Sequence, residues 1–185
     1  AVTRLTRWVD TGSQMWTSPS NGFRSGRQSA RTFLQNNLMT SPDITSVQAV
    51  LNSSKLDAIA FVPGANFRRI MGTDFHLMER PLVIIVPAAG EAVAIVPNLE
   101  MEGFVTTGFA GKIFDWRDED GYSDAFRDAA QALPQLNGSN RFGLEAQRMR
   151  AFEHMALATV FPDTRFVDAH SDLSSIRLHK TDRDI

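Results

Sequence analysis

Residues 81–97 read PLVIIVPAAGEAVAIVP, and this stretch decides the fold. Two runs of aliphatic and β-branched residues flank AAGE at 88–91, a turn short enough to fold the second run back on the first. The pair reads as a hairpin of two strands. Upstream, LDAIAFV (56–62) reads as a buried strand and PGANFRRIMG (63–72) as a turn leading into a short helix. Before these, SPDITSVQAVLNSS (41–54) places Ile44, Val47 and Leu51 at helical spacing behind a cap supplied by Ser41 or Asp43.

Downstream the chain keeps alternating. NLEMEGFVTTG (98–108) reads as a short helix and KIFDW (112–116) as a strand. YSDAFRDAAQAL (122–133) reads as a helix capped by Ser123, with Phe126, Ala130 and Leu133 on one face and Pro134 as its stop. RFGLE (141–145) reads as a strand, and QRMRAFEHMALATVF (147–161) as a helix with Met149, Phe152, Ala156 and Val160 inward. TRFVDA (164–169) is a strand and SDLSSIRLHK (171–180) the last helix. Such alternation predicts an α/β fold, a mixed β-sheet flanked by helices with the hairpin as its antiparallel part.

Composition narrows the function. A chain of 185 residues with 43% hydrophobic content can bury a sizeable core. With no cysteine there is no disulfide framework, thiolate metal cluster or Cys nucleophile, which suits a reducing compartment, and a cytoplasmic location is expected. The longest apolar run is interrupted by Pro87, short of the roughly 20 residues a membrane span needs. No membrane partner is expected. Charge is uneven: residues 1–42 hold five arginines against Asp10, while residues 43–185 hold 14 Lys/Arg against 20 Asp/Glu.

Residues 1–42 therefore read as a flexible leader, rich in Ser, Gly and Asn and without sustained periodicity. An organelle transit peptide and a basic arm for nucleic acid are both weak readings of five scattered arginines. The favoured reading is that residues 1–38 precede a native start at Met39, and no nucleic-acid partner is expected. At the other end, SSIRLHKTDRDI stops inside a helical pattern, and residues 179–185 read as the start of a linker.

Several motifs invite a chemical reading. PGANFRRIMG sits where phosphate loops sit but matches neither G-x-G-x-x-G nor G-x-x-x-x-G-K-[ST]. DWRDEDGY (115–122) fails as a calcium loop, because with Gly121 sixth the first and twelfth positions fall on Trp116 and Arg127. DAHSD (168–172) spaces Asp168, His170 and Asp172 two apart, as metal ligands or as the capping region of the last helix; capping is favoured. His154, beside Glu153, reads as a solvated residue on the polar side of its helix. No Ser-His-Asp or metal set assembles from local spacing.

Taken in order, LDAIAFVPGANFRRIMG, RPLVIIVP, AVAIVPNLE, RFGLEAQRM and FVDAHSDLSSIRLHKTDRDI resemble the amino-terminal domain of the creatinase, prolidase and aminopeptidase P family. The resemblance covers residues 43–185 and rests most on the Pro-x-x-Asn turn at Pro63–Asn66, Gly72, and the closing Arg177-Leu178-x-Lys180. Family sequences usually carry Tyr-Leu-Thr-Gly where this chain has Arg69-Ile70-Met71-Gly72, and usually Glu near the end, where it has Asp184.

The resemblance implies a ribonuclease-H-like amino-terminal domain at residues 43–178, followed by a pita-bread catalytic domain beyond Ile185. That second domain would hold two divalent metals, such as manganese, cobalt or zinc, on two Asp, one His and two Glu, and would cleave the bond before proline. This chain is then expected to have no catalytic residue, metal or cofactor of its own, to form a homodimer, and to lend residues to a partner's site. Counting from Gly72, the resemblance assigns Arg80 to the substrate carboxylate and Met78 to an aromatic wall position, with His76 and Glu79 in the same loop. The alternative for Arg80 is a surface strand start paired with Glu79 or a neighbouring carboxylate. A creatinase-like amidinohydrolase or related amide hydrolase, and a free-standing binding or dimerisation module, are the competing functions.

Overall fold

The computed structural model describes residues 41–139 and 141–178, so nearly all of the expected leader and the whole 179–185 linker segment lie outside the described residues. Helix α1, Ile44–Ser54, starts at Asp43, whose Oδ1 accepts from Ser46 N at 3.1 Å. Strand β1, Ala58–Phe61, leads into the short helix α2, Ala65–Met71. Strands β2, Val83–Pro87, and β3, Val93–Pro97, form the expected hairpin, with Ile84 opposite Ala94. A 3-10 turn at Asn98–Glu100 runs into helix α3, Met101–Val105, and strand β4, Lys112–Trp116, follows. Helix α4, Ser123–Gln131, strand β5, Phe142–Leu144, helix α5, Ala151–Val160, strand β6, Phe166–Asp168, and helix α6, His170–Leu178, complete the domain.

The six strands form one mixed sheet in the order β4-β3-β2-β1-β5-β6. Only β2 runs against its neighbours, since β1 and β3 pair with it antiparallel while β3–β4, β1–β5 and β5–β6 are parallel. The carboxyl ends of the other five strands therefore share one edge, which the start of β2 joins. Period-2 alternation splits the sheet's side chains between two cores. Ile59, Phe61, Ile84, Val86 and Val96 pack with Val47, Leu51, Phe67, Ile70, Phe104, Leu173 and Ile176, which puts α1, α2, α3 and α6 on that face. Val83, Ile85, Val93 and Ile95 pack with Phe126, Ala129, Leu157 and Phe161, which puts α4 and α5 on the other. Both faces being covered explains why the strands read as continuous apolar runs. Among the described residues no helix is long and apolar enough to cross a membrane.

Gly143 in β5 marks a point of close packing. A Cβ there would stand 2.6 Å from Ala169 Cβ and 3.3 Å from Ile59 Cγ1, so the element between β1 and β6 has no room for a side chain.

The expectations for two helices are corrected. Ser123 is the first residue of α4 and not its cap: Tyr122 occupies the cap position, with no side-chain hydrogen bond there. That helix ends at Gln131, and Pro134 opens a separate 3-10 turn, Pro134–Leu136, where its missing N–H costs nothing. Helix α5 begins at Ala151, because Glu145–Met149 first closes a turn through Met149 N to Glu145 O at 2.9 Å. Its buried residues are Glu153 and Leu157, whereas Met149, Phe152, Ala156 and Val160 are half-buried on its flank. The apolar stripe packs sideways toward α4, as the 6.0 Å approach of the Phe152 ring to Tyr122 shows.

Candidate functional site

The loop TDFHLMER (73–80) crosses the carboxyl edge of the sheet from one face to the other. Gly72, in the left-handed conformation at φ 73°, ends α2 and turns the chain into it. Phe75 then packs into the core beneath α2 and α3, with ring centroids 5.7 Å from Phe67 and 6.0 Å from Phe104. Leu77 packs into the opposite core. With these two anchored inward, His76 and Met78 point outward, Met78 at 46% exposure. Trp116 Nε1 donates to Pro81 O at 3.2 Å and fixes the loop's exit into β2.

Arg80 is partly exposed and already engaged. Its Nε donates to Asp118 Oδ1 at 2.8 Å and Oδ2 at 3.1 Å, its Nη2 to Asp118 Oδ2 at 2.5 Å, and its Nη1 to Glu79 Oε1 at 2.8 Å. The hydrogen bond from Arg80 holds the Asp118 carboxyl below the usual carboxylate range, and the same bond raises the guanidinium. This is the surface pairing weighed from the sequence, with Asp118 as a second carboxylate beside Glu79. Arg80, Asn98, Leu99, Trp116 and Asp118 line an open cleft of about 320 Å³.

A second polar group lies farther along the same edge, under α2 and α6. Glu145, 1% exposed at the end of β5, accepts from Asn66 Nδ2 at 2.8 Å, and His170 Nδ1 stands 3.9 Å from the same oxygen. Ser174 Oγ lies 3.3 Å from His170 Nε2. Burial pushes the Glu145 carboxyl up, against the opposing effects of Asn66, the Val62 backbone, His170 and Arg148. Sequence reasoning passed over Glu145 and Asn66, although Asn66 belongs to the Pro-x-x-Asn turn that the resemblance rested on. The Pro63 carbonyl of that turn accepts from Arg148 Nη2 at 3.1 Å, so the turn is a packed joint.

DAHSD is a capping segment. Asp168 Oδ1 accepts from His170 N at 2.9 Å, and Asp172 accepts from the Ser54 hydroxyl of α1. Among the described residues no three His, Asp or Glu are grouped to hold a metal. His154 is exposed, with its ring edge-on to Phe166 at 5.2 Å. Its neighbour Glu153 is fully buried, contrary to a polar helix face at that point.

Comparison with known proteins places this architecture. Residues 44–179 match the model of the creatinase/prolidase N-terminal domain. The chain belongs to that family. Solved structures share the domain's fold. A proline dipeptidase from Streptococcus pneumoniae is 24% identical with a TM-score of 0.64, the match covering 75% of this chain and 99% of that one. A recombinant prolidase from Thermococcus sibiricus is 20% identical with a TM-score of 0.65, covering 76% of this chain and 37% of that one. A dipeptidase from Pyrococcus horikoshii is 19% identical with a TM-score of 0.65, covering 76% of this chain and 38% of that one. No curated protein matches the chain. The match thus spans nearly all of one solved chain and a little over a third of two others.

Proposed function

We propose that this domain is the non-catalytic amino-terminal domain of a proline-specific metallopeptidase of Xaa-Pro dipeptidase or Xaa-Pro aminopeptidase type. The observation that carries the reading is the family match over 44–179, joined to two longer structures, named as a prolidase and a dipeptidase, in which the matched part is 37–38% of the chain. In this reading the peptide bond is broken in a separate catalytic domain. Two divalent metals held there would supply the attacking hydroxide and polarise the carbonyl. The described residues do not fit such a metal pair, having no suitable three-donor group, and no step of hydrolysis is assigned to them.

What this domain contributes is a rim. In a homodimer, the loop at 73–80 faces the partner's substrate, with Arg80 on the substrate carboxylate, Met78 against its side chain and His76 alongside. A planar guanidinium suits a carboxylate because it forms two parallel hydrogen bonds. Asp118 holds the fork in a carboxylate-binding geometry before substrate arrives, so substrate has to displace Asp118 or share Arg80 with it. A cysteine-free chain fits work in the cytoplasm.

The test is kinetic. In the full-length enzyme loaded with manganese, Arg80→Ala is expected to raise the Michaelis constant for an Xaa-Pro dipeptide about tenfold or more, with sedimentation showing a dimer. An unchanged Michaelis constant removes the role of Arg80. Turnover of a guanidino substrate but not of Xaa-Pro peptides overturns the peptidase reading.

A further inference from the structure

One side chain braces the backbone that carries the candidate residues. Arg150, at the cap position of α5, donates through Nη1 to Met78 O and through Nη2 to Arg80 O at 3.4 Å. Nη2 also donates to Glu153 Oε1 at 2.5 Å, while Arg150 N donates to Glu153 Oε2 at 2.8 Å. Both oxygens of Glu153 are thus engaged by the same residue. Glu153 is 0% exposed, and a carboxylate that deep persists only if paired. Arg150 is itself only partly exposed, with its guanidinium carbon 4.5 Å from the centre of the Phe152 ring. Such an arrangement differs from an ordinary i,i+3 surface pair, whose arginine extends into water. Here the carboxylate orients the fork from below, and the fork's outer nitrogens reach the carbonyls on either side of Glu79.

We infer that Arg150 is the positioning residue of this loop: oriented by Glu153, it clamps the carbonyls of Met78 and Arg80 and sets where their side chains meet substrate, a role that rests on the function proposed above for Arg80. Because it acts on backbone carbonyls, the role does not require Arg150 to touch substrate. A lysine at 150 keeps the charge but replaces the planar fork with a single nitrogen, and cannot hold Glu153 and two carbonyls together.

Two readouts separate this inference from the reading it rests on. The chain has no cysteine, so Glu79→Cys labelled with a nitroxide reports on the loop alone, and Met155→Cys on the exposed face of α5 reports on the fold. Arg150→Ala is expected to shift the label at 79 from slow to fast motion and leave the label at 155 unchanged, with Arg150→Lys intermediate. An unchanged spectrum at 79 in Arg150→Ala overturns the inference whatever Arg80 does. In the full-length enzyme, Arg150→Ala is expected to raise the Michaelis constant about tenfold while turnover stays within about twofold. If Arg80→Ala raises the Michaelis constant and Arg150→Ala does not, the positioning role is lost. If Arg80→Ala itself has no effect, the proposed function of Arg80 falls, and the label at 79 alone decides whether Arg150 orders the loop.

Discussion

Arg80 makes three contacts with Asp118 and one with Glu79, so a substrate carboxylate bound as proposed would compete with groups of this same chain. The competitor is exposed, and exposed ion pairs are weak. Asp118→Ala in the full-length enzyme is therefore expected to lower the Michaelis constant for an Xaa-Pro dipeptide about two- to fivefold, as steady-state kinetics would show. A rise would mean that Asp118 orients Arg80 usefully and does not compete with substrate. The pH dependence follows from the lowered Asp118 carboxyl. A carboxyl with a depressed value in the folded protein keeps its pairing above the ordinary aspartate value near 3.9 and loses it only as pH falls through the lowered one. The advantage of Asp118→Ala should thus persist through neutral pH and shrink only in acid. That Arg80 could pair with Glu79 or a neighbouring carboxylate was legible from the sequence, although β2 starts only at Val83; that the neighbour is Asp118, 38 residues away across the sheet edge, was not, because no local spacing links them.

At the scale of elements, the apolar runs gave the strands and the 3.6-residue periodicity gave the helices, since both are local consequences of burial. Two carboxylates escaped the sequence because their burial opposes their residue type. Glu153 occupies an inward helix position because Arg150 pairs with it, and Glu145 ends a core strand because Asn66 and His170 surround it. Nothing in the immediate neighbours of Glu145 announces that Asn66 and His170 arrive from other elements, whereas the partner of Glu153 stands only three residues before it. Glu145 joins β5 to α2 through Asn66 and faces His170 at the start of α6, while Asn66 Nδ2 also reaches Ser174 Oγ at 3.5 Å. Its carboxyl is raised chiefly by burial, so in the interval between the ordinary and the raised value the folded state binds more proton than the unfolded chain. That contribution to stability is complete below the ordinary glutamate value near 4.3 and is lost as pH rises through the raised one. Glu145→Gln keeps an acceptor for Asn66 and removes the titration. Urea denaturation across pH 4 to 8 should show the wild type losing stability relative to Glu145→Gln as pH rises; parallel curves would mean that burial does not raise this carboxyl. Glu145→Ala, which leaves Asn66 Nδ2 without its carboxylate partner, should cost about 1–3 kcal/mol.

The whole domain is a sheet shared by two cores, and that sharing fixes how it can fail. Ile84 and Ile85 are neighbours in β2, yet Ile84 packs under the α1, α2, α3 and α6 layer and Ile85 under α4 and α5. Among the described residues each layer buries its apolar side chains on its own face of this sheet, and β2 loses its cover on one side if either layer leaves. Melting one core should therefore expose the other. Each of Ile84→Val and Ile85→Val removes one methylene from a fully buried site and should cost about 0.5–1.5 kcal/mol. Their side chains stand on opposite faces and belong to separate clusters, so the double variant should equal the sum of the two within about 0.5 kcal/mol. Scanning calorimetry should give one transition for each variant, with calorimetric and van't Hoff enthalpies equal. Two resolved transitions would show that the layers melt apart. A coupling above about 1 kcal/mol would show the sheet deforming to pass strain between them, and substitutions in either core would then reach the loop at 73–80, whose Phe75 and Leu77 are anchored one in each.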